Sequence, residues 1–301
     1  GRLVSEAKPA SPAELNLRFE ESKEMVGWGA QPNLFSRAHE AGFNTGLMGW
    51  YHPYCRIIGD DLTVCSFKEL NSRPQGKTLP EALLNQIKSL AQTIPFIDTL
   101  GIVGEGNLAM FEKSQQRLQE DGLKAYFNML AEAKELTTNN QLNLVFIHWP
   151  VPHSPVIYNR FKNDFQLDKK NSYIDNLALV DRTIGEIRRA MEAAGVWQDT
   201  ILLITSDHPL KKRVWLSYLG DYSKEDADLI NDKGDARIPF VLKLANQKEA
   251  ITYDSAFNTI LTQDLLLALL KGEISDPASV TGWLENKRAI AESPYNYNKK
   301  K

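Results

Sequence analysis

Five histidines, His39, His52, His148, His153 and His208, are the side chains whose ordinary titration falls near neutrality. His39 lies inside a helical pattern closed by Gly42 and reads as a surface or structural residue. The other four each follow an apolar, strand-like run, where an imidazole gains nothing from packing. Asp207-His208 ends the run Thr200-Ile201-Leu202-Leu203-Ile204. A carboxylate followed at once by an imidazole at a strand tip offers O and N donors to a divalent ion. The competing reading makes Asp207 a cap for the next turn and His208 merely polar.

Two further clusters have the same placement. His148-Trp149-Pro150-Val151-Pro152-His153-Ser154-Pro155 follows the run Leu142–Ile147. Its prolines are expected to hold the loop extended, aiming an imidazole that donates to an anionic oxygen or protonates a leaving group. The bland alternative is a rigid turn with incidental histidines. Gly49-Trp50-Tyr51-His52-Pro53-Tyr54-Cys55-Arg56 combines His52 and Arg56 with aromatics just past a strand, and an aromatic surface loop is the competing explanation.

Other motifs fail. Gly104-Glu105-Gly106 lacks the third glycine of a dinucleotide turn. There is no Gly-x-Ser-x-Gly elbow and no phosphate loop ending in Gly-Lys-Ser/Thr. Asp60-Asp61 sits in a turn-like context and reads as capping or solvated. Cys55 and Cys65 are too few for a disulfide framework or a four-thiolate zinc site, and the expectation is two buried thiols.

The elements that must position these residues alternate. Leu34–Ala41 is helical, Thr45–Gly49 a short buried strand, and Leu79 to about Leu136 a long helical region broken near Pro95 and Gly101–Gly106. Leu142–Ile147 is a strand. From Tyr173 to Ala194 the apolar residues Ile174, Leu177, Val180, Ile184, Ile187 and Met191 recur at helical spacing, closed by Gly195. Strands follow at Thr200–Ile204 and Ile238–Leu242, then a helix from Ser255 to Leu270. Pro9–Pro12 reads as an entry loop and Asn296–Lys301 as a solvated tail. The order implies a three-layer α/β/α fold with a mainly parallel sheet, whose ligands sit at the carboxyl ends of strands.

With 301 residues, 43% of them hydrophobic and 24% charged, the chain can bury a sizeable core. A net charge of -3 argues against nucleic acid or an anionic membrane surface as partner. No run approaches a membrane span, and no signal peptide is visible.

Four segments, in order, resemble the sulfatase family of the alkaline phosphatase superfamily. They are Ala41-Gly42-Phe43-Asn44-Thr45 through Trp50-Tyr51-His52, Pro152-His153-Ser154-Pro155, Tyr173–Ile187 leading to Ser206-Asp207-His208, and Arg237-Ile238-Pro239-Phe240. The resemblance implies one sulfatase-like domain over 1–301 and hydrolysis of small-molecule or glycan sulfate esters. It implies that Asp207 and His208 hold a divalent metal (Ca2+ or Mg2+, with Mn2+ or Zn2+ as alternatives). His153 and His52 would contact the leaving oxygen or anionic group, with His148 and Arg56 as further substrate contacts. Family members are often exported or membrane-attached.

The departures are specific. Trp50 stands where the family places a lysine, and Pro209 where it places a glycine after Asp-His. The nucleophile segment Cys/Ser-x-Pro-Ser-Arg does not occur in the 301 residues. The expectation is that the nucleophile and first-strand carboxylates lie upstream of residue 1, the chain being a C-terminal portion that binds its metal weakly. His208 in place of Asn, with the lysine lost, leans toward a phosphoester hydrolase or phosphoryl transferase of the same superfamily. A catalytically inactive binding module is the reading from another class.

Overall fold

The computed structural model describes residues 4–11, 14–68, 106–166, 171–211, 223–231 and 237–291. Strands β1 (Val4–Ser11), β2 (Glu14–Phe19) and β3 (Met25–Gly27) form an antiparallel meander in that order. The expected entry loop at Pro9 is therefore a strand, with Pro9 opposite Leu15. β1 is the edge of this sheet, where a residue without an N–H is tolerated. Alternation along β2 buries Leu17 and Phe19.

Helix α1 (Leu34–Glu40) starts from a capping box in which Asn33 accepts from the Phe35 and Ser36 amides. Asp61 accepts from the Asn33 side chain at 2.9 Å, which makes it part of this cap. The helix ends where Gly42 takes φ +82°, a conformation that favours glycine. Strand β4 (Thr45–Trp50), the helical turn α2 (Tyr54–Ile57) and β5 (Val64–Lys68) follow. Then come the long helix α3 (Gly106–Thr138) and β6 (Leu144–Ile147). The expected helix breaks near Pro95 and at Gly101 lie outside the described residues.

β5, β4 and β6 form a parallel sheet with β4 in the middle. Consecutive residues of a strand face opposite ways, so Leu47 and Met48, both fully buried, report on both faces. Leu47 packs with Phe35 of α1 and with Ile58. Met48 packs with Met129, Ala133 and Leu136 of α3. Each such side chain contributes roughly 1.5–3 kcal/mol of burial free energy. The sheet is thus sandwiched between helices, in agreement with the α/β/α expectation.

A short hairpin, β7 (Tyr158–Asn159) with β8 (Asp164–Phe165), precedes α4 (Tyr173–Ala193). α4 opens with a Ser172/Asp175 capping box and is followed by Gly195 at φ +75°. It is fastened to α3 by Tyr126 Oη with Thr183 Oγ1 at 2.8 Å and by Lys134 with Glu186 at 2.8 Å.

The last elements depart from the expected order. Strands β9 (Leu202–Thr205) and β10 (Phe240–Lys243) pair antiparallel as a two-stranded ladder. A parallel pairing would need a crossover helix over the sheet. The helix between them, α5 (Lys224–Asn231), is tied instead to the start of α4, by the buried Asp226 accepting from the Tyr173 amide, and to the turn after β7, by the pair of Glu225 with Arg160. The helix expected from Ser255 is regular only as α6 (Thr262–Leu270), after a 3-10 turn. A further helix, α7 (Pro277–Ala291), begins with Asp276 capping the Ala278 and Ser279 amides. Leu265, Ala268 and Leu269 of α6 pack with Val280 and Leu284 of α7 beneath β10. The expected solvated tail lies outside the described residues.

Candidate active site

β4 ends at Trp50, and the chain turns at once. Tyr51 sits at φ +70°, the His52 amide donates to the Trp50 carbonyl at 2.8 Å, and the Tyr54 amide donates to the His52 carbonyl at 2.8 Å. His148 lies just past β6, its amide still donating to the β4 carbonyl of Met48 at 2.9 Å. The parallel register therefore sets Trp50, His52, Tyr54 and His148 side by side at the carboxyl end of the sheet. The His52 and His148 rings are nearly parallel (22°), with centroids 6.1 Å apart. Tyr54 Oη lies 2.9 Å from His148 Nδ1. The Trp50 ring centroid is 5.8 Å from that of His148 and 5.2 Å from that of His153. Trp50, at the position where a lysine was expected, is thus the shared wall of two imidazoles, those of His148 and His153.

Burial is the main influence on ionisation here. It pushes the Tyr54 phenol up to about 12, with the Asp207 carboxylate acting in the same direction. It holds the His148 imidazole below its ordinary value, partly opposed by Asp207 and by the Trp50 backbone carbonyl and reinforced by His52. Asp207, which follows β9, is close enough to act electrostatically on residues that follow β4 and β6.

His153 lies on a loop that turns back rather than extends, its amide donating to the Pro150 carbonyl at 2.9 Å. The fully buried Asn176 of α4 closes this turn. Its side-chain amide donates to the carbonyls of Pro152 (3.3 Å), His153 (3.1 Å) and Pro155 (3.2 Å), and its Oδ1 accepts from the Ile157 amide (3.3 Å). The prolines narrow the loop's conformations, but the hydrogen bonds from α4 set its shape.

His208 Nδ1 is 2.7 Å from the Pro209 carbonyl, which can only accept, so the proton of the neutral ring is on Nδ1 and Nε2 is bare. Nε2 stands 3.7 Å from Asp207 Oδ2, whose side chain is 72% exposed. A backbone carbonyl that fixes the tautomer while Nε2 faces a carboxylate suits a ligand for a divalent ion. The pair supplies two donors. Among the described residues no group of three or more His, Cys, Asp or Glu side chains is assembled to hold a metal ion.

Arg56 projects from α2 over the Phe67 ring of β5 at 5.1 Å. Cys55 and Cys65 are not free thiols but a disulfide, with Cα atoms 5.7 Å apart. The nine residues between them complete α2 and add a 3-10 turn, which returns the chain to β5 beside β4. Sequence reasoning missed Tyr54 and Asn176 as parts of the site. Tyr54 carried a signal, since an aromatic two residues after His52 can reach the same neighbour. A cavity of about 480 Å³ lies between α1, α6 and α7, lined in part by Arg37, Asp264, Lys271 and Trp283, and contains none of the predicted site residues.

A parallel sheet between helices, with polar side chains gathered past its strands, is the layout of the alkaline-phosphatase-like α/β proteins. A family model described as Sulfatase matches residues 15–271, and the chain belongs to the sulfatase family. At the level of the family it is a sulfatase-like hydrolase, of a group that acts on sulfate esters and generally uses a divalent metal. No curated protein and no solved structure matches it. Among the described residues no helix is long and apolar enough to cross a membrane.

Proposed function

We propose that this chain carries the metal pair and leaving-group imidazoles of a metal-dependent sulfuric ester hydrolase acting on a small-molecule or glycan ester. The observation that carries the reading is the gathering of the His52, His148 and His153 rings past β4 and β6, with the Asp207 carboxylate acting on Tyr54 and His148 in the same direction as a nearby anion would. Asp207 and the bare Nε2 of His208 would hold the divalent ion. Such an ion lowers the pKa of an attacking hydroxyl and offsets charge on the transferring group.

The chain's own groups act around that centre. His153 and His52 are the proposed proton donors to the departing alcohol oxygen, since His153 packs on Trp50 and His52 stacks on His148 in one ring cluster. His153 is held through its backbone by Asn176, which limits the positions its ring can reach. Arg56 is the proposed cation for a more distant anionic group of the substrate. The nucleophile is not supplied by any Cys/Ser-x-Pro-Ser-Arg segment of these residues. The Cys55–Cys65 disulfide favours an oxidising compartment, in keeping with export.

A phosphoester substrate is the second reading. It is favoured by the indole at residue 50 in place of a lysine and by His208 in the metal pair. The test is hydrolysis of 4-nitrophenyl sulfate and 4-nitrophenyl phosphate by the protein expressed from its complete coding sequence, with Ca2+, Mg2+, Mn2+ or Zn2+. The expected result is metal-dependent sulfate release lost in Asp207→Ala and His208→Ala. Preference for the phosphate would select the second reading. Metal and ester binding without turnover would mark an inactive binding module.

A further inference from the structure

Tyr54 has no role in the chemistry proposed above, yet its placement is tightly determined. Its ring lies across Gly49 so closely that a Cβ at residue 49 would meet Tyr54 Cδ2 at 2.3 Å. Its neighbour Cys55 is bonded to β5 through the disulfide. Its hydroxyl is 2.9 Å from His148 Nδ1. His52 is set in the corner made by the two rings, edge-on to Tyr54 (5.7 Å, 88°) and stacked on His148.

The proton inventory of this corner is constrained. A phenol pushed up to about 12 keeps its proton wherever an imidazole titrates, and burial favours the neutral form of His148. A neutral imidazole has one N–H and one bare nitrogen. Among the described residues, Nδ1 of His148 is the one partner within hydrogen-bond distance of the Tyr54 hydroxyl, so the phenol's proton is satisfied when Tyr54 donates to Nδ1 and the ring proton sits on Nε2.

We propose that Tyr54 is a positioning residue that donates its hydroxyl hydrogen to His148 Nδ1 and fixes His148 as the Nε2–H tautomer. His148 is then a fixed wall for His52 rather than a contact to the ester. The consequence for ester hydrolysis rests on the role given above to His52, whereas the tautomer does not.

The test is a pair of long-range 15N–1H spectra of the histidine rings, recorded on the full chain and on Tyr54→Phe. Phenylalanine keeps the ring over Gly49 and removes only the hydroxyl. The expected result is His148 as a single Nε2–H tautomer in the unaltered protein, with its Nδ1 resonance moving toward that of an unbonded acceptor in Y54F. His39 and His208 should not move. An Nδ1–H tautomer in the unaltered protein, or an Nδ1 resonance indifferent to Y54F, overturns the proposal. The spectrum of the unaltered protein decides the tautomer even where Y54F does not fold. In the hydrolysis assay, Y54F is expected to lower kcat with little change in KM. If no ester is turned over while the tautomer is as stated, the hydrolase reading fails and the positioning of His148 stands.

Discussion

The side-chain amide of Asn176, inside helix α4, donates to the backbone carbonyl of His153 at 3.1 Å, so a buried helix residue fixes the loop that presents a candidate proton donor. The same amide serves the Pro152 and Pro155 carbonyls.

Asn176→Ala leaves those part-buried carbonyls and the buried Ile157 amide without their partner. Each buried, unsatisfied polar group costs about 1–3 kcal/mol. A loss of about 2–3 kcal/mol in denaturant unfolding is expected, with faster amide exchange over residues 150–157. An unchanged unfolding midpoint would show that the loop holds its shape alone.

Gly49→Ala places a methyl group 2.3 Å from the Tyr54 ring. β4 is central and buried, so the ring must move rather than the strand. The expected cost is about 1–3 kcal/mol, as for overpacking elsewhere. Its signature is the loss of the bound state of His148 Nδ1 in the ring spectrum. A stable Gly49→Ala with an intact His148 resonance would mean that Tyr54 has room to shift.

Reducing the Cys55–Cys65 bond opens a short loop, for which chain entropy predicts a loss of about 2–3 kcal/mol. Thermal unfolding with and without dithiothreitol measures it. The Cys55→Ser/Cys65→Ser double variant is expected to start at the lower value and to ignore the reductant.

Acid sensitivity is expected from the tie between α3 and α4. The hydrogen bond from Lys134 holds the Glu186 carboxyl below its ordinary 4.5, against a smaller opposing effect of burial, and Arg182 adds to the lowering. A carboxyl with a lowered folded pKa contributes stability above its unfolded pKa and loses it as pH falls through the folded value. Stability should therefore decline below about pH 4.5, and Glu186→Gln should flatten that decline while lowering stability at neutral pH. A pH profile of Glu186→Gln parallel to the unaltered one would assign the acid sensitivity elsewhere.

Helical periodicity marked α4, and an uninterrupted apolar run marked β6, because burial of one stripe or of both strand faces is written into residue order. The placement of His52 and His148 was legible for a related reason, since polar groups directly after parallel apolar strands fall at the carboxyl edge of their sheet, whereas Asp207-His208 ends a strand of the antiparallel β9–β10 ladder and His153 is placed by its loop. The antiparallel return of β10 was not legible. Nor was the seat of α5, between β9 and β10 in the chain, on the Tyr173 amide through Asp226 and on Arg160 through Glu225, residues far apart in sequence.

Residue order alone determined the strand–helix alternation, the family, and which side chains stand at strand tips, because these follow from local spacing and from motifs read along the chain. Tertiary structure alone decided that Cys55 meets Cys65, that Asn176 holds the His153 turn, and that Tyr54 reaches His148. Those contacts are set by parallel register and helix docking, and a distance across a sheet is not encoded in the spacing along a chain.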